Sequence, residues 1–212
     1  MSDEKAKHFS IVIIIIAVIA FGYITIQAMV IVQKRQISTS DGIYSNRVTL
    51  SPDIKEKAQQ LTKNCTNQLC QTQKLLDYVT SIPYYTEHFQ AHSPKRTMEL
   101  REGDCDDKSN LLISLLHALK IEAYFVLVPK HIFVIASLDD KRLANTKALW
   151  LNNKPYYILE STAKNSAVGF PLKYKIKDIE MILDPFKNRE VDKRNIQLFG
   201  TDALSSANVW RE

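Results

Sequence analysis

The stretch Arg101-Glu102-Gly103-Asp104-Cys105-Asp106-Asp107-Lys108-Ser109 puts a cysteine where a helix is expected to begin, just after a glycine that permits a tight turn. Backbone N–H groups and the helix dipole at such a start favour a thiolate and lower the thiol's pKa. The carboxylates of Asp104, Asp106 and Asp107 act in the opposite sense, so they must face away or serve as caps. A thiolate nucleophile needs a proton partner, and that partner needs an orienting group. His131 heads one β-rich run and Glu160 ends another. Adjacent antiparallel strands can set His131 beside Glu160 while the helix start points Cys105 at both. Cys105, His131 and Glu160 on helix, strand and strand form a coherent catalytic triad for thiol attack on a carbonyl.

Competing uses of the same residue types are weaker. A buried cysteine is usually a small hydrophobe, but Cys105 sits among charged and polar neighbours. His117 lies among helix leucines and reads as structural, and His88 and His92 are loop residues. Asp104, Asp106 and Asp107 lack the fixed glycine and distal glutamate of a calcium-binding EF-hand loop. Cys65 and Cys70 do not have zinc-ligand spacing, and no second ligand pair is nearby. The chemistry therefore requires no metal and no cofactor. The formal net charge is +5 and the sequence pI is about 9.0, but the lysines are scattered and no basic stripe interleaves with aromatics. Nucleic acid is excluded as a partner on that ground.

The elements that must position these residues are legible around them. Asp104 caps a helix, with Asp107 three residues on completing a box. Leu111, Leu112, Leu115, Leu116 and Leu119 follow at helical spacing, closed by Lys120. Strands are expected over 121–128, 131–137 and 156–159, the last ending at Glu160. Upstream, Ser51-Pro52-Asp53 starts a helix to about Lys63, and a second helix is expected from about Gln71 to Thr80. The stretch 83–95 reads as an aromatic loop, 139–155 as a polar connection, and 173–177 as an edge strand. The class is α+β.

The remainder of the chain is set by one apolar run. The 25 residues from Phe9 to Gln33 carry no charge. As a helix they rise about 37 Å, enough to cross a hydrocarbon core of ~30 Å. The run is too long for a cleaved signal peptide and lacks a small-x-small site, so an uncleaved transmembrane anchor is expected. Lys5 and Lys7 before it balance Lys34 and Arg35 after it, so the positive-inside rule does not set the orientation. Cys65 and Cys70 either pair locally, which suits an oxidising compartment, or stand as two thiols. The expected layout is an N-terminal tail (1–8), the anchor (9–33), a linker (34–50), a folded domain (51–186) and a polar C-terminal tail (187–212). The folded domain is expected on the extracytoplasmic side.

Gly103-Asp104-Cys105-Asp106-Asp107-Lys108-Ser109, followed by the leucine helix to Ala123, resembles the transglutaminase-like cysteine-enzyme superfamily. The motif Gly-x-Cys-x-Asp opens the catalytic helix there. The resemblance continues at His131-Ile132-Phe133-Val134, at Tyr156-Tyr157-Ile158-Leu159-Glu160-Ser161-Thr162, and upstream at Ile82-Pro83-Tyr84. It spans roughly residues 75 to 165. Lys120 replaces the glycine that commonly ends the helix, and Glu160 stands where many members carry Asp. The resemblance implies a papain-like core, a catalytic helix packed on an antiparallel sheet. It also implies a Cys105-His131-Glu160 triad that cleaves or transfers amide bonds of protein or peptide substrates through a thioester. Hydrolysis is favoured over transfer to an amine. The oxyanion would take the N–H of Cys105 plus one donor among Tyr84, Tyr85 and Gln90. The competing expectation is a non-catalytic module of this fold that binds protein or cell-wall peptides.

Overall fold

The computed structural model describes residues 3–40, 42–86 and 91–200. The chain divides into two compact units, Met1–Gln36 and Ile37–Glu212. The first is a single helix, α1 (Asp3–Arg35). Its segment Lys7–Gln27 is long and apolar enough to cross a membrane. Ile14, Ile16 and Phe21 stand exposed along it, a surface suited to hydrocarbon rather than to water.

In the second unit, β1 (Gln36–Ser38) and β2 (Ile43–Ser45) pair as a two-stranded sheet. α2 (Pro52–Thr62) starts as expected, its N-cap Ser51 accepting the N–H of Ile54. α3 (Gln68–Thr80) begins three residues earlier than its apolar face indicates, because the Asn67 side chain caps it by accepting the Cys70 N–H at 2.9 Å. Cys65 and Cys70, flanking that start, are joined in a disulfide. α4 (Pro94–Leu100) occupies residues expected as loop. It repeats the serine-proline start of α2, with Ser93 as N-cap, and ends at Arg101 in the left-handed region.

α5 (Cys105–Ala118) carries both halves of the expected capping box. Asp104 accepts the N–H groups of Asp106 and Asp107, and Asp107 accepts the N–H of Asp104. At the other end, Lys120 N–H bonds His117 O at 2.9 Å and Ile121 N–H bonds Leu116 O at 3.0 Å. This is a Schellman closure. Lys120 sits at φ 62°, the left-handed conformation that explains why glycine is common at this point.

β3 (Ala123–Val128), β4 (His131–Ala136), β5 (Ala148–Leu151), β6 (Lys154–Leu159), β7 (Met181–Asp184), β8 (Arg189–Glu190) and β9 (Gln197–Phe199) form one sheet. Its order is β8-β7-β3-β4-β6-β5-β9, and the paired strands run antiparallel. β5 lies inside the expected polar connection. It forms a hairpin with β6 around Asn152 and Asn153, both left-handed, as a tight primed turn requires. The expected edge strand over 173–177 is not one. Lys175 instead starts a short 3₁₀ turn, its N–H bonded to the Asp178 carboxylate, and the neighbouring strand is Met181–Asp184. Residues 189–190 and 197–199, expected within a loose tail, add strands to both sheet edges.

Both faces of the sheet are covered, which is why β3 and β4 read as near-continuous apolar runs. Phe125, Leu127, Val134 and Leu159 pack with helix residues such as Ile54, Leu76 and Leu112. Val126, Phe133, Ile135 and Ile158 face the other way, under Phe170, Leu172 and Tyr174. From Asp107 to Leu116 every residue of α5 is buried, so this helix is the central rod of the domain.

One side of that rod is held by the segment leading into α2. The Ser45 N–H bonds the Asp106 carboxylate, and Asn110 Nδ2 bonds Ser45 O at 2.8 Å. The Arg47 N–H bonds Asn110 Oδ1 at 2.6 Å, and the Thr49 N–H bonds Ser114 Oγ at 3.1 Å. Side chains four apart on a helix repeat every ~6 Å, and alternate residues of an extended chain every ~6.6 Å. Asp106, Asn110 and Ser114 therefore match Ser45, Arg47 and Thr49 rung for rung. Part of the expected linker is thus a fixed strap along α5.

Candidate active site

The site forms where α5 starts against the open end of β4. β6 pairs with β4 at Val134, Ile135 and Ala136 and stops short of Ile132. The N–H of Ile132 bonds the Cys105 sulfur, as does the N–H of Cys105 itself. The carbonyl of Ile132 accepts the Ser109 hydroxyl at 3.4 Å, and Ser109 in turn meets Ser161 at 3.2 Å. One polar stretch of backbone thus fixes the first turn of α5 against the strand that His131 begins.

Gly103 is needed there for space. A Cβ on it would lie 2.7 Å from the Asp107 Cβ and 3.3 Å from the Thr97 Cγ2. Close packing of α4 against the start of α5, rather than the expected turn, accounts for the residue.

The structure brings His131 and Glu160 together. His131 Nε2 lies 2.9 Å from Glu160 Oε2. The other carboxylate oxygen accepts the Thr162 N–H at 3.0 Å and its hydroxyl at 2.6 Å. The extra methylene of a glutamate is accommodated with both oxygens engaged. Burial pushes this carboxyl up, but the His131 and Thr162 hydrogen bonds outweigh it and hold Glu160 below the usual range. Tyr174 stacks on the imidazole, ring centres 6.1 Å apart, and both rings stack with Phe133. Sequence reasoning missed Tyr174, since it lies in the segment expected as an edge strand.

The electrostatics at Cys105 differ from the expectation. Burial, reinforced by Asp104 and Asp106, pushes the thiol up to about 12, against the two N–H bonds that favour the thiolate. Asp106 is itself held well above the usual carboxylate range by burial and by its bond to Asp104. At neutral pH the Asp106 carboxyl therefore keeps its proton, which limits the negative field on the sulfur.

The acids do not face away. Their ligand atoms lie within 4.8 Å of one another and are engaged as caps: Asp104 and Asp107 in the box, Asp106 on the strap. Asp107 also accepts the His92 N–H at 2.6 Å. His117 stacks on Phe186, ring centres 3.7 Å apart, away from the site. Among the upstream donors, Tyr84 and Tyr85 are exposed, and Tyr84 is near enough to Cys105 to feel its charge. His88 and Gln90 lie outside the described residues. Tyr85 N–H bonds Gly103 O at 3.1 Å and Gly103 N–H bonds Pro83 O at 3.3 Å, tying this wall to the start of α5. Behind it, Lys108 is buried, its Nζ 2.8 Å from Ile82 O.

The chain is similar to one protein family and to solved structures. No curated protein matches the chain. A solved cysteine-protease candidate from Cytophaga hutchinsonii is 16% identical, covering 73% of this chain and 48% of its own, with a TM-score of 0.45. A protease candidate from Parabacteroides distasonis is 17% identical over 41% of this chain and 21% of its own, with a TM-score of 0.36. The chain thus spans about half the length of the first and a fifth of the second. Residues 55–133 match the model of the Transglutaminase-like superfamily. That match runs from α2 through Cys105 and the start of β4 and ends before Glu160; over this stretch the chain is similar to the transglutaminase-like superfamily.

Proposed function

We propose that this protein is a membrane-anchored cysteine enzyme that cleaves amide bonds of protein or peptide substrates. The observation carrying the reading is the 2.9 Å contact of His131 Nε2 with Glu160, beside a cysteine whose sulfur receives the N–H of Ile132. With Nε2 turned to Glu160, Nδ1 is the nitrogen left to exchange a proton with Cys105. Because the resting group is a thiol, proton transfer to Nδ1 accompanies attack of the sulfur on the substrate carbonyl. Glu160 fixes the ring and stabilises the imidazolium. The imidazolium then protonates the leaving amine, and a thioester remains. Water, deprotonated by the neutral imidazole, resolves it and regenerates the thiol. The N–H of Cys105, with Tyr84 upstream, serves the oxyanion. Tyr174, stacked on His131, keeps water off the His131–Glu160 bond.

Helix α1 anchors the enzyme, and the Cys65–Cys70 disulfide supports an extracytoplasmic site. The anchor restricts it to substrates close to one membrane surface. One observation favours a second reading, a non-catalytic module that binds protein or cell-wall peptides: the thiol stands far above the range of an activated cysteine. Substrate profiling of Cys105→Ala separates the two. Loss of cleavage in the variant supports the enzyme, and cleavage unchanged by the substitution contradicts it.

A further inference from the structure

The β5–β6 hairpin and the edge strand β9 frame a cavity of about 610 Å³, lined by Trp150, Asn152, Asn153, Asn195, Gln197 and Phe199. That volume lies in the range of small-molecule sites. The strand register explains which side chains meet there. Trp150 pairs with Gln197 and Ala148 with Phe199, so Trp150, Gln197 and Phe199 share one face of the sheet. The Trp150 and Phe199 rings meet edge to face, with centres 6.3 Å apart and planes at 83°. Trp150 is half-buried, while Phe199 and the four carboxamide residues are exposed.

The backbone under this lining is fixed. Asn152 and Asn153 hold the left-handed positions of the β5–β6 turn. Asn195 lies in a turn closed by the Ile196 N–H on Lys193 O at 3.1 Å, and Lys193 Nζ anchors that turn on Ile179 O at 2.9 Å. Just past Phe199, Gly200 sits at φ 100°, and a Cβ there would lie 2.6 Å from Thr146 O. Only glycine allows that approach, which seats the end of β9 against the segment leading into β5. A lining held in this way lowers the ordering cost of taking up a ligand.

Among the described residues, no side chain lining the cavity is charged. An ionic ligand would find no counter-charge there, and a wholly apolar one would leave the carboxamides unmatched. A sugar ring matches both kinds of group. One face of a pyranose presents C–H groups that pack on an aromatic ring, and its rim carries hydroxyls that donate and accept, as carboxamides do. A peptide strand would instead be read through the main chain of a sheet edge. We infer that this cavity is a saccharide-binding subsite. Pro155, the other partner of Trp150, stands on β6 five residues before Glu160, a separation of about 17 Å along an extended strand. The subsite is therefore distinct from the Cys105 site and does not depend on its chemistry.

The test is saturation-transfer NMR with calorimetry on the full-length chain, in a detergent without sugar headgroups. The probes are cellotetraose, the β-1,4-linked tetramer of N-acetylglucosamine, and a neutral glycine-serine hexapeptide. Either tetramer should bind saturably, and Cys105→Ala should bind it as wild type does. Trp150→Leu, which keeps apolar packing, should weaken binding by about tenfold. The exposed Asn195→Ala/Gln197→Ala pair should weaken it by about fivefold or more. Failure of both tetramers to bind saturably at up to about 10 mM overturns the inference. Undiminished affinity in the Asn195→Ala/Gln197→Ala pair overturns it as well, whether or not Trp150→Leu folds. Binding of the hexapeptide and of neither tetramer assigns the cavity to peptides and also overturns it. Saccharide binding lost in a folded Cys105→Ala would place the sugar at the catalytic site, which contradicts a separate subsite.

Discussion

The Glu160 carboxylate spans two partners, His131 Nε2 at 2.9 Å on one oxygen and the Thr162 hydroxyl at 2.6 Å on the other. Thr162 sets the carboxylate before the imidazole meets it, so the ring is oriented without substrate. Glu160→Gln keeps the size but removes the charge that stabilises the imidazolium. Activity should fall by about a hundredfold or more in kcat/KM, with the fold retained by circular dichroism. Glu160 is held below its ordinary pKa, so its contribution to stability is present above the carboxylate range and is lost as pH falls through the lowered value. Acid titration of wild type against Glu160→Gln should show that loss in wild type alone.

Asp106 carries the opposite sign. Its folded-state pKa is raised, so its contribution is fully present below the ordinary carboxylate range and is lost as pH rises toward the raised value. Asp106→Asn keeps an acceptor for the Ser45 N–H and a donor toward Asp104. The variant should lose less stability than wild type between pH 6 and pH 9 in thermal unfolding. Alkylation of Cys105 near pH 7 should change little, since the protonated Asp106 carries no charge there to remove.

The strap makes a separate claim on stability. Asn110 is fully buried and bonds Ser45 O, Arg47 N–H and Asp106 O. Asn110→Ala leaves these backbone groups without their partner and should cost about 2–3 kcal/mol in denaturant unfolding. A variant as stable as wild type would show that the segment 45–49 is a passive tether.

At the far end of α5, Lys120 holds a left-handed conformation that costs a side-chain-bearing residue about 1 kcal/mol. Lys120→Gly should stabilise the domain by up to about that amount and leave activity unchanged. Urea midpoints of the two proteins decide it.

What the sequence made legible was local. The Asp104–Asp107 box, the Ser51-Pro52 helix start and the apolar runs of β3, β4 and β6 follow from chemistry between near neighbours. α4 was missed although Ser93-Pro94 repeats the Ser51-Pro52 signal, because the helix is short and carries no apolar face of its own. β5 was missed because four residues between polar stretches carry no periodicity, the only clue being Asn152-Asn153. The pairing of His131 with Glu160 was legible from strand order, whereas Tyr174 reaches the imidazole by a loop path that no spacing encodes. Lys108 and Asp106 mislead for a shared reason. On an amphipathic helix they would face solvent, but α5 is covered on every side, and burial rather than the helix dipole decides the charge of Cys105.

The central claim is that Cys105 is a nucleophile served by His131. The direct measurement is the labelling of the folded, full-length protein at pH 7 by an amide-mimicking, thiol-directed electrophile, read by intact mass and by peptide mapping. The account predicts one adduct per chain, on Cys105, with a rate that falls at least about tenfold in His131→Ala. A folded protein that stays unlabelled at Cys105, or labels equally fast without His131, would contradict it.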